Sequence, residues 1–218
     1  MSSLATQAMH IPAGKAVLEG DMTIPENAKG LVLFAHGSGS SRHSPRNRYV
    51  AGVLNEYGFA TLLADLLTAE EDIIDQKTRH LRFDISLLAE RLEAITKWIQ
   101  NNAATAKLAL GYFGASTGAA AALMAAARQG DRVKAVVSRG GRPDLAGDFL
   151  PIVKAPALLI VGGHDPEVLT LNRRALERLN PQSTLSIIPG ATHLFEEPGT
   201  LESAAQMAAE WFREHLHV

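Results

Sequence analysis

The sequence predicts an α/β fold: a mainly parallel, twisted sheet with helices on both faces, in one domain over residues 1–218. Three observations carry this expectation. Short apolar runs without polar alternation recur along the chain, as strands covered on both faces require. Amphipathic helical patterns lie between those runs. The two kinds of segment alternate, which is the mark of right-handed crossovers between parallel strands.

The elements follow in order. Lys15–Ile24 reads as an opening hairpin turning near Gly20-Asp21. Leu31–Ala35 and Phe59–Ala64 are continuous apolar runs, and later ones are Lys107–Phe113, Val133–Val137, Ala155–Val161 and Ser183–Ile188. Between them, Leu88, Leu92, Ile95 and Ile99 share one helix face, with Asp84 placed to cap it. Ala119–Ala127 is an alanine-rich helix, and Leu201, Ala204, Ala205, Ala208, Trp211, Phe212 and His215 trace a final one. No internal repeat, linker or low-complexity segment interrupts the pattern.

Bulk composition narrows the function. With 218 residues, 46% hydrophobic and 20% charged, the chain can bury a sizeable core and has ordinary globular composition. A net charge of −2 gives no global attraction to nucleic acid or to an anionic membrane surface. The absence of cysteine excludes disulfides, thiolate metal sites and a cysteine nucleophile, and fits a cytoplasmic location. Met1–Met22 has no basic start followed by an apolar run, so no signal peptide is expected, and the longest apolar stretch is far short of a membrane span. Gly111, Gly114 and Gly118 are spaced wrongly for a dinucleotide fingerprint, and no Gly-Lys-Ser/Thr follows a strand. The acidic run Glu70, Glu71, Asp72 and Asp75 is expected to be a solvated segment bordering the cleft, and neither a metal nor a cofactor is expected.

In open parallel sheets the working groups gather beyond the carboxyl ends of the strands. Four such ends carry reactive residues. His36-Gly37-Ser38-Gly39-Ser40 follows the first apolar strand. Gly114-Ala115-Ser116-Thr117-Gly118 joins a strand to the alanine-rich helix, a tight turn that holds a serine hydroxyl clear of the sheet. His164-Asp165 and Thr192-His193 close the last two strands. The order Ser, Asp, His is that of a serine nucleophile built on such a sheet.

On Phe34-Ala35-His36-Gly37, Gly114-Ala115-Ser116-Thr117-Gly118, Gly162-Gly163-His164-Asp165 and Gly190-Ala191-Thr192-His193, the chain resembles the α/β-hydrolase superfamily, and within it the small dienelactone hydrolase-like proteins. The resemblance extends from about Leu31 to the last helix. It implies an α/β-hydrolase fold; the short stretch between Val137 and Ala155 leaves no room for a cap domain, so a shallow, open site is expected, with Leu66–Phe83 as a movable wall. Dienelactone hydrolases proper carry cysteine at the elbow, whereas this chain has Ser116.

The expected roles follow from acyl-transfer chemistry. Ser116 attacks, His193 takes and returns the proton, and Asp165 holds the imidazole and stabilises its charged form. The N–H of Thr117 and that of Ser38, or else of Gly39, meet the oxyanion. Asp144 competes for the acid role, since some relatives place it after the earlier strand; it also reads as the cap of a short helix, Leu145–Leu150. His36 reads chiefly as a loop brace, and with Gly37 and Gly39 as a residue on the substrate side. Arg42, His43, Arg46 and Arg48 form a basic cluster, either a clamp for a substrate carboxylate or the solvated face of the next helix. The expected function is hydrolysis of small carboxylic esters or lactones through an acyl-enzyme. A thioesterase, peptidase or acyltransferase with the same triad, or a non-enzymatic binding module on the same fold, remains open.

Overall fold

The computed structural model describes residues 4–216. An eight-stranded sheet runs in the order β1-β2-β4-β3-β5-β6-β7-β8. Its strands are β1 (Thr6–Ala13), β2 (Ala16–Thr23), β3 (Leu31–Ala35), β4 (Ala60–Ala64), β5 (Leu110–Ala115), β6 (Val133–Arg139), β7 (Ala157–Gly162) and β8 (Thr184–Ile188). The β1–β2 and β2–β4 pairs are antiparallel and every other pair is parallel. All residues of β3, β4, β5 and β7 are buried, as their unbroken apolar runs require.

Helices cover both faces. On one, α3 (Ile85–Asn101), α4 (Thr117–Gln129) and α5 (Pro166–Leu176) close over Leu33, Leu62, Tyr112, Val136 and Leu159. On the other, α1 (Pro45–Glu56) and α6 (Thr200–His215) cover Phe34, Phe113, Val137 and Ile160. The predicted apolar face of α3 is buried, and the Asp84 carboxylate accepts from the Leu87 N–H at 3.0 Å as its cap. Among the described residues no helix is long and apolar enough to cross a membrane.

Two elements depart from expectation. The opening hairpin turns at Gly14-Lys15 and not at Gly20-Asp21, with Ala13 opposite Ala16 and Thr6 opposite Thr23. Gly20 sits inside β2 because the strand packs tightly there: a Cβ would stand 3.0 Å from Leu62 Cδ1 and 3.2 Å from Ile11 Cδ1. The stretch after β6 is a 3-10 segment, Pro143–Ile152, kinked at Gly147 with φ 54. Asp144 does not cap it, because Arg142 binds both carboxylate oxygens, at 2.9 and 2.8 Å.

The acidic run lies on α2 (Ala69–Thr78), which begins with a capping box between Thr68 and Glu71. Asp75 is not solvated as expected: it is 1% exposed. Its carboxylate accepts from the N–H groups of Leu81 and Arg82 at 2.8 and 3.1 Å and pairs with Arg82 Nε at 2.5 Å. Burial alone would raise its pKa, but the Arg82 bonds and charge and the Leu81 N–H outweigh that and hold it below the usual carboxylate value. This stabilisation is complete above the ordinary value near 3.8 and is lost as pH falls below it. Asp75→Ala leaves these donors unpaired and should lower stability by about 3–5 kcal/mol, read from urea unfolding at neutral pH.

Candidate active site

Small residues let the elbow form. Ten successive residues of α4, Thr117–Ala126, are buried, so only a helix of mostly glycine and alanine can lie this close to the sheet. A Cβ at Gly114 would stand 2.4 Å from Ala119 Cα, and one at Gly118 would stand 2.3 Å from Ala35 O and 2.5 Å from His36 O. The second approach presses the start of α4 against the loop after β3, and a Cβ at Gly37 would meet Ser116 Cβ at 3.0 Å.

Ser116 occupies the N-cap position of α4 with φ 50 and ψ −123, yet its side chain makes no capping bond. An ordinary cap serine accepts from the first turn in relaxed backbone. Here the backbone is held in a strained region, on the order of 1–3 kcal/mol for a non-glycine residue, and the hydroxyl is left for other use. Its N–H donates to Arg139 O at 3.3 Å and its carbonyl accepts from the Arg142 N–H at 3.1 Å, which fixes the turn against β6.

Asp165 repeats the pattern. It holds the N-cap position of α5, followed by Pro166, and makes no capping bond. Its Oδ2 instead lies 2.6 Å from His193 Nδ1. The loops after β7 and β8 are tied by the His164 N–H, which donates to Ala191 O at 2.9 Å, and Gly162 admits the Ala191 backbone where a Cβ would stand 2.3 Å from its oxygen. The Glu197 carboxylate braces the histidine loop by accepting from the Thr192 N–H and hydroxyl at 3.0 and 2.7 Å. A Cβ on Gly140, beside the elbow, would lie 3.6 Å from His193 Cε1, so the imidazole stands at the same sheet end as Ser116. Asp144 is committed to Arg142, which leaves Asp165 as the carboxylate on the histidine.

Ser38 and Thr117, the residues predicted to supply the oxyanion donors, are in contact. Thr117 begins α4, where helix N–H groups carry partial positive charge. The Ser38 N–H donates to Thr117 Oγ1 at 2.9 Å, and the two hydroxyls lie 2.8 Å apart. The Thr117 hydroxyl thus occupies the Ser38 donor that was expected to be free. Gly39 takes φ 68, and the Ser38 hydroxyl donates to Arg82 O at 3.2 Å, tying the loop to the segment after α2. A cavity of about 1040 Å³ lies between this loop and α2, bordered by His36, Gly37, Gly39, Asp65, Thr68 and Arg82. The expected movable wall is tied to this loop through the Ser38–Arg82 bond and borders the cavity.

His36 braces that loop. Its Nε2 accepts from the Leu66 N–H at 3.1 Å, and Nδ1 bonds Gly37 O at 3.0 Å, so the neutral ring with its proton on Nδ1 satisfies both. Burial pushes its pKa below the ordinary value of 6.5, against the raising effects of Gly37 O, Asp65 and Asp72. The unfolded chain then binds the proton more readily, so the contribution is complete above pH 6.5 and falls away below it. Denaturant midpoints measured from about pH 8 to 5 should decline more steeply for the wild type than for His36→Gln.

The basic cluster is neither a free clamp nor a single solvated face. Arg42 pairs with Asp65, with Glu19 at 2.5 Å and with Asp21 at 3.6 Å; Arg48 reaches Asp21 at 3.3 Å and His43 at 2.5 Å. Carboxylates on β2 and after β4 neutralise these groups. Arg46 alone turns toward the histidine loop, 3.5 Å from the exposed Glu196. Two residues escaped the sequence reading: Arg139, buried at the end of β6, and Asn47, buried in the first turn of α1. The signal for Arg139 was available as a charged residue closing a strand that is buried apart from Lys134.

The family model described as the dienelactone hydrolase family matches residues 18–216. A dienelactone hydrolase from Anabaena variabilis ATCC 29413, known as a crystal structure, is 59% identical, with TM-score 0.97 over 98% of this chain and 99% of its own. Two strains of Mycobacterium tuberculosis carry a relative, 57% identical over 213 residues, under the name "Putative phosphoribosyl transferase". The match covers 98% of this chain but 47% of that protein, so the chain spans about half the length of these curated relatives. Est1E from Butyrivibrio proteoclasticus, 18% identical with TM-score 0.79 over 95% of this chain and 98% of its own, shares the fold.

Proposed function

Because the chain belongs to the dienelactone hydrolase family, we propose that it is a serine hydrolase cleaving carboxylic esters or lactones of small acyl groups through an acyl-enzyme on Ser116. One observation carries the reading: Ser116 and Asp165 both stand at helix N-caps, neither caps, and the Asp165 carboxylate is spent on His193. Two side chains well suited to capping are withheld from it at the sheet end where catalytic groups collect.

In the proposed cycle Ser116 Oγ attacks the acyl carbon as His193 Nε2 takes its proton. Asp165 keeps the other imidazole proton on Nδ1 and stabilises the imidazolium. The carbonyl electrons pass to oxygen, which is met by the Thr117 N–H and, once the Thr117 hydroxyl turns aside, by the Ser38 N–H. Collapse expels the alkoxide, which receives the proton from His193. Water then repeats the sequence on the acyl-serine, releasing the acid and regenerating the hydroxyl.

The triad is self-sufficient in this scheme, and we propose no cofactor, metal, nucleic-acid or membrane partner. We place the chain in the cytoplasm on its lack of cysteine. The phosphoribosyl transfer in the name of the mycobacterial relatives belongs to proteins of which this chain spans 47%, and we do not carry it over to this chain. Hydrolysis of p-nitrophenyl esters of graded chain length, alongside small lactones and the matching thioesters, tests the proposal. Turnover of short oxygen esters or lactones is expected. Turnover of thioesters alone would move the reading to a thioesterase, and no turnover of any acyl compound would move it to a binding module.

A further inference from the structure

Arg139 closes β6 and is 7% exposed, the only arginine among the described residues that is buried. Its Nη2 donates to the Asn47 side-chain oxygen at 3.3 Å, a neutral and long contact, while Nε and Nη1 find no acceptor. The Phe195 ring lies 5.7 Å from its guanidinium carbon. No carboxylate of the described residues pairs with it. The other arginines without a carboxylate partner, Arg79, Arg132, Arg173, Arg174 and Arg213, are exposed, where water screens them. A buried guanidinium with unpartnered donors and no counter-charge is costly, and a bound anion would lower that cost.

The surroundings are built to receive one. Asn47 and Arg46 lie in the first turn of α1, a twelve-residue helix whose N-terminus favours negative charge. Arg46 is close enough for its charge, after burial, to help lower the Arg139 pKa to about 10, so Arg139 remains cationic at neutral pH. Glu196, which Arg46 reaches at 3.5 Å, is mostly exposed and offsets little of this charge. Two guanidinium groups and a helix N-terminus match a dianion better than a single carboxylate. The place is also right: the Arg139 carbonyl accepts from the Ser116 N–H, and the neighbouring Gly140 abuts both the His193 and Phe195 positions.

We propose that Arg139, with Arg46 and the first turn of α1, is a receptor for a phosphate dianion carried by the acyl substrate, beside Ser116. The substrate is then an ester bearing a phosphate monoester a few bonds from the scissile carbonyl; this part rests on the hydrolase reading above, whereas the anion site itself does not. Inorganic phosphate and acetate are titrated calorimetrically into the full chain at constant ionic strength, and KM is compared for 2-phosphoethyl acetate and ethyl acetate.

Phosphate should bind saturably, with acetate weaker by about tenfold or more, and Arg139→Gln should weaken phosphate by about tenfold or more. Arg46→Gln, on the surface, should weaken it too and serves if Arg139→Gln does not fold. The phosphate-bearing ester should show the lower KM, and inorganic phosphate should compete with it. Absence of phosphate binding by the wild type, equal binding by wild type and both variants, or acetate binding as tightly as phosphate would overturn the receptor. Phosphate binding with neither ester cleaved would leave the receptor standing and remove the hydrolase reading. Cleavage of both esters at equal KM without phosphate binding would do the reverse.

Discussion

Ser116→Ala is expected to lower ester turnover by about a million-fold, as removal of a triad nucleophile can. The same change should barely move stability, and the two results together identify the role. A serine that caps a helix contributes about 1 kcal/mol through its side chain. Ser116 makes no such bond, so alanine removes no stabilising contact and inherits the same strained φ of 50. Neighbouring backbone is already accommodated by Gly37, Gly114 and Gly118, whose contacts do not involve the hydroxyl oxygen. A variant that unfolds earlier but still turns over esters would reverse the assignment and make Ser116 a structural cap. Turnover per mole of folded protein and urea midpoints measured on the same preparation decide it.

Asp165→Asn should cost about ten-thousand-fold in turnover, because the imidazole loses the partner that fixes its tautomer and stabilises its charge. The loss should fall on kcat, since Asp165 meets His193 at 2.6 Å and is assigned no contact with substrate. Asp144→Asn is the control, with an effect of a few-fold at most, because its carboxylate is held in a two-point pair with Arg142. If Asp144→Asn abolished activity and Asp165→Asn left it intact, the acid would belong at the end of β6.

The sheet was largely legible because its central strands are buried on both faces and read as unbroken apolar runs; Leu31–Ala35 and Ala60–Ala64 are the clear cases. The α3 face was legible for the same reason, with Asp84 in place as its cap. β1 was not, since five of its first six described positions are exposed or half-buried and polar residues such as Gln7 and His10 break the pattern; a glycine inside β2 then passed for the turn. The elbow and the last two strand ends were readable from residue type and order alone, and the structure brings Asp165 and His193 together.

What the sequence hid was which polar groups the tertiary fold brings together. Whether Asp75 is solvated depends on how the chain folds back to place Arg82 against it, and whether Arg42 is free depends on Asp65, twenty-three positions away and on another strand end. The Ser38–Thr117 contact, spanning 79 positions, is of the same kind. Local pattern reports faces and turns; it does not report which charges meet.

The central claim is that the Ser116 hydroxyl is activated by His193. It is tested most directly by treating the full chain with a fluorophosphonate at neutral pH and locating the added mass by peptide sequencing. The account predicts stoichiometric modification confined to Ser116, lost in Ser116→Ala and slowed by orders of magnitude in His193→Ala. Modification at another residue, or labelling of Ser116 at the same rate with and without the imidazole, would contradict it.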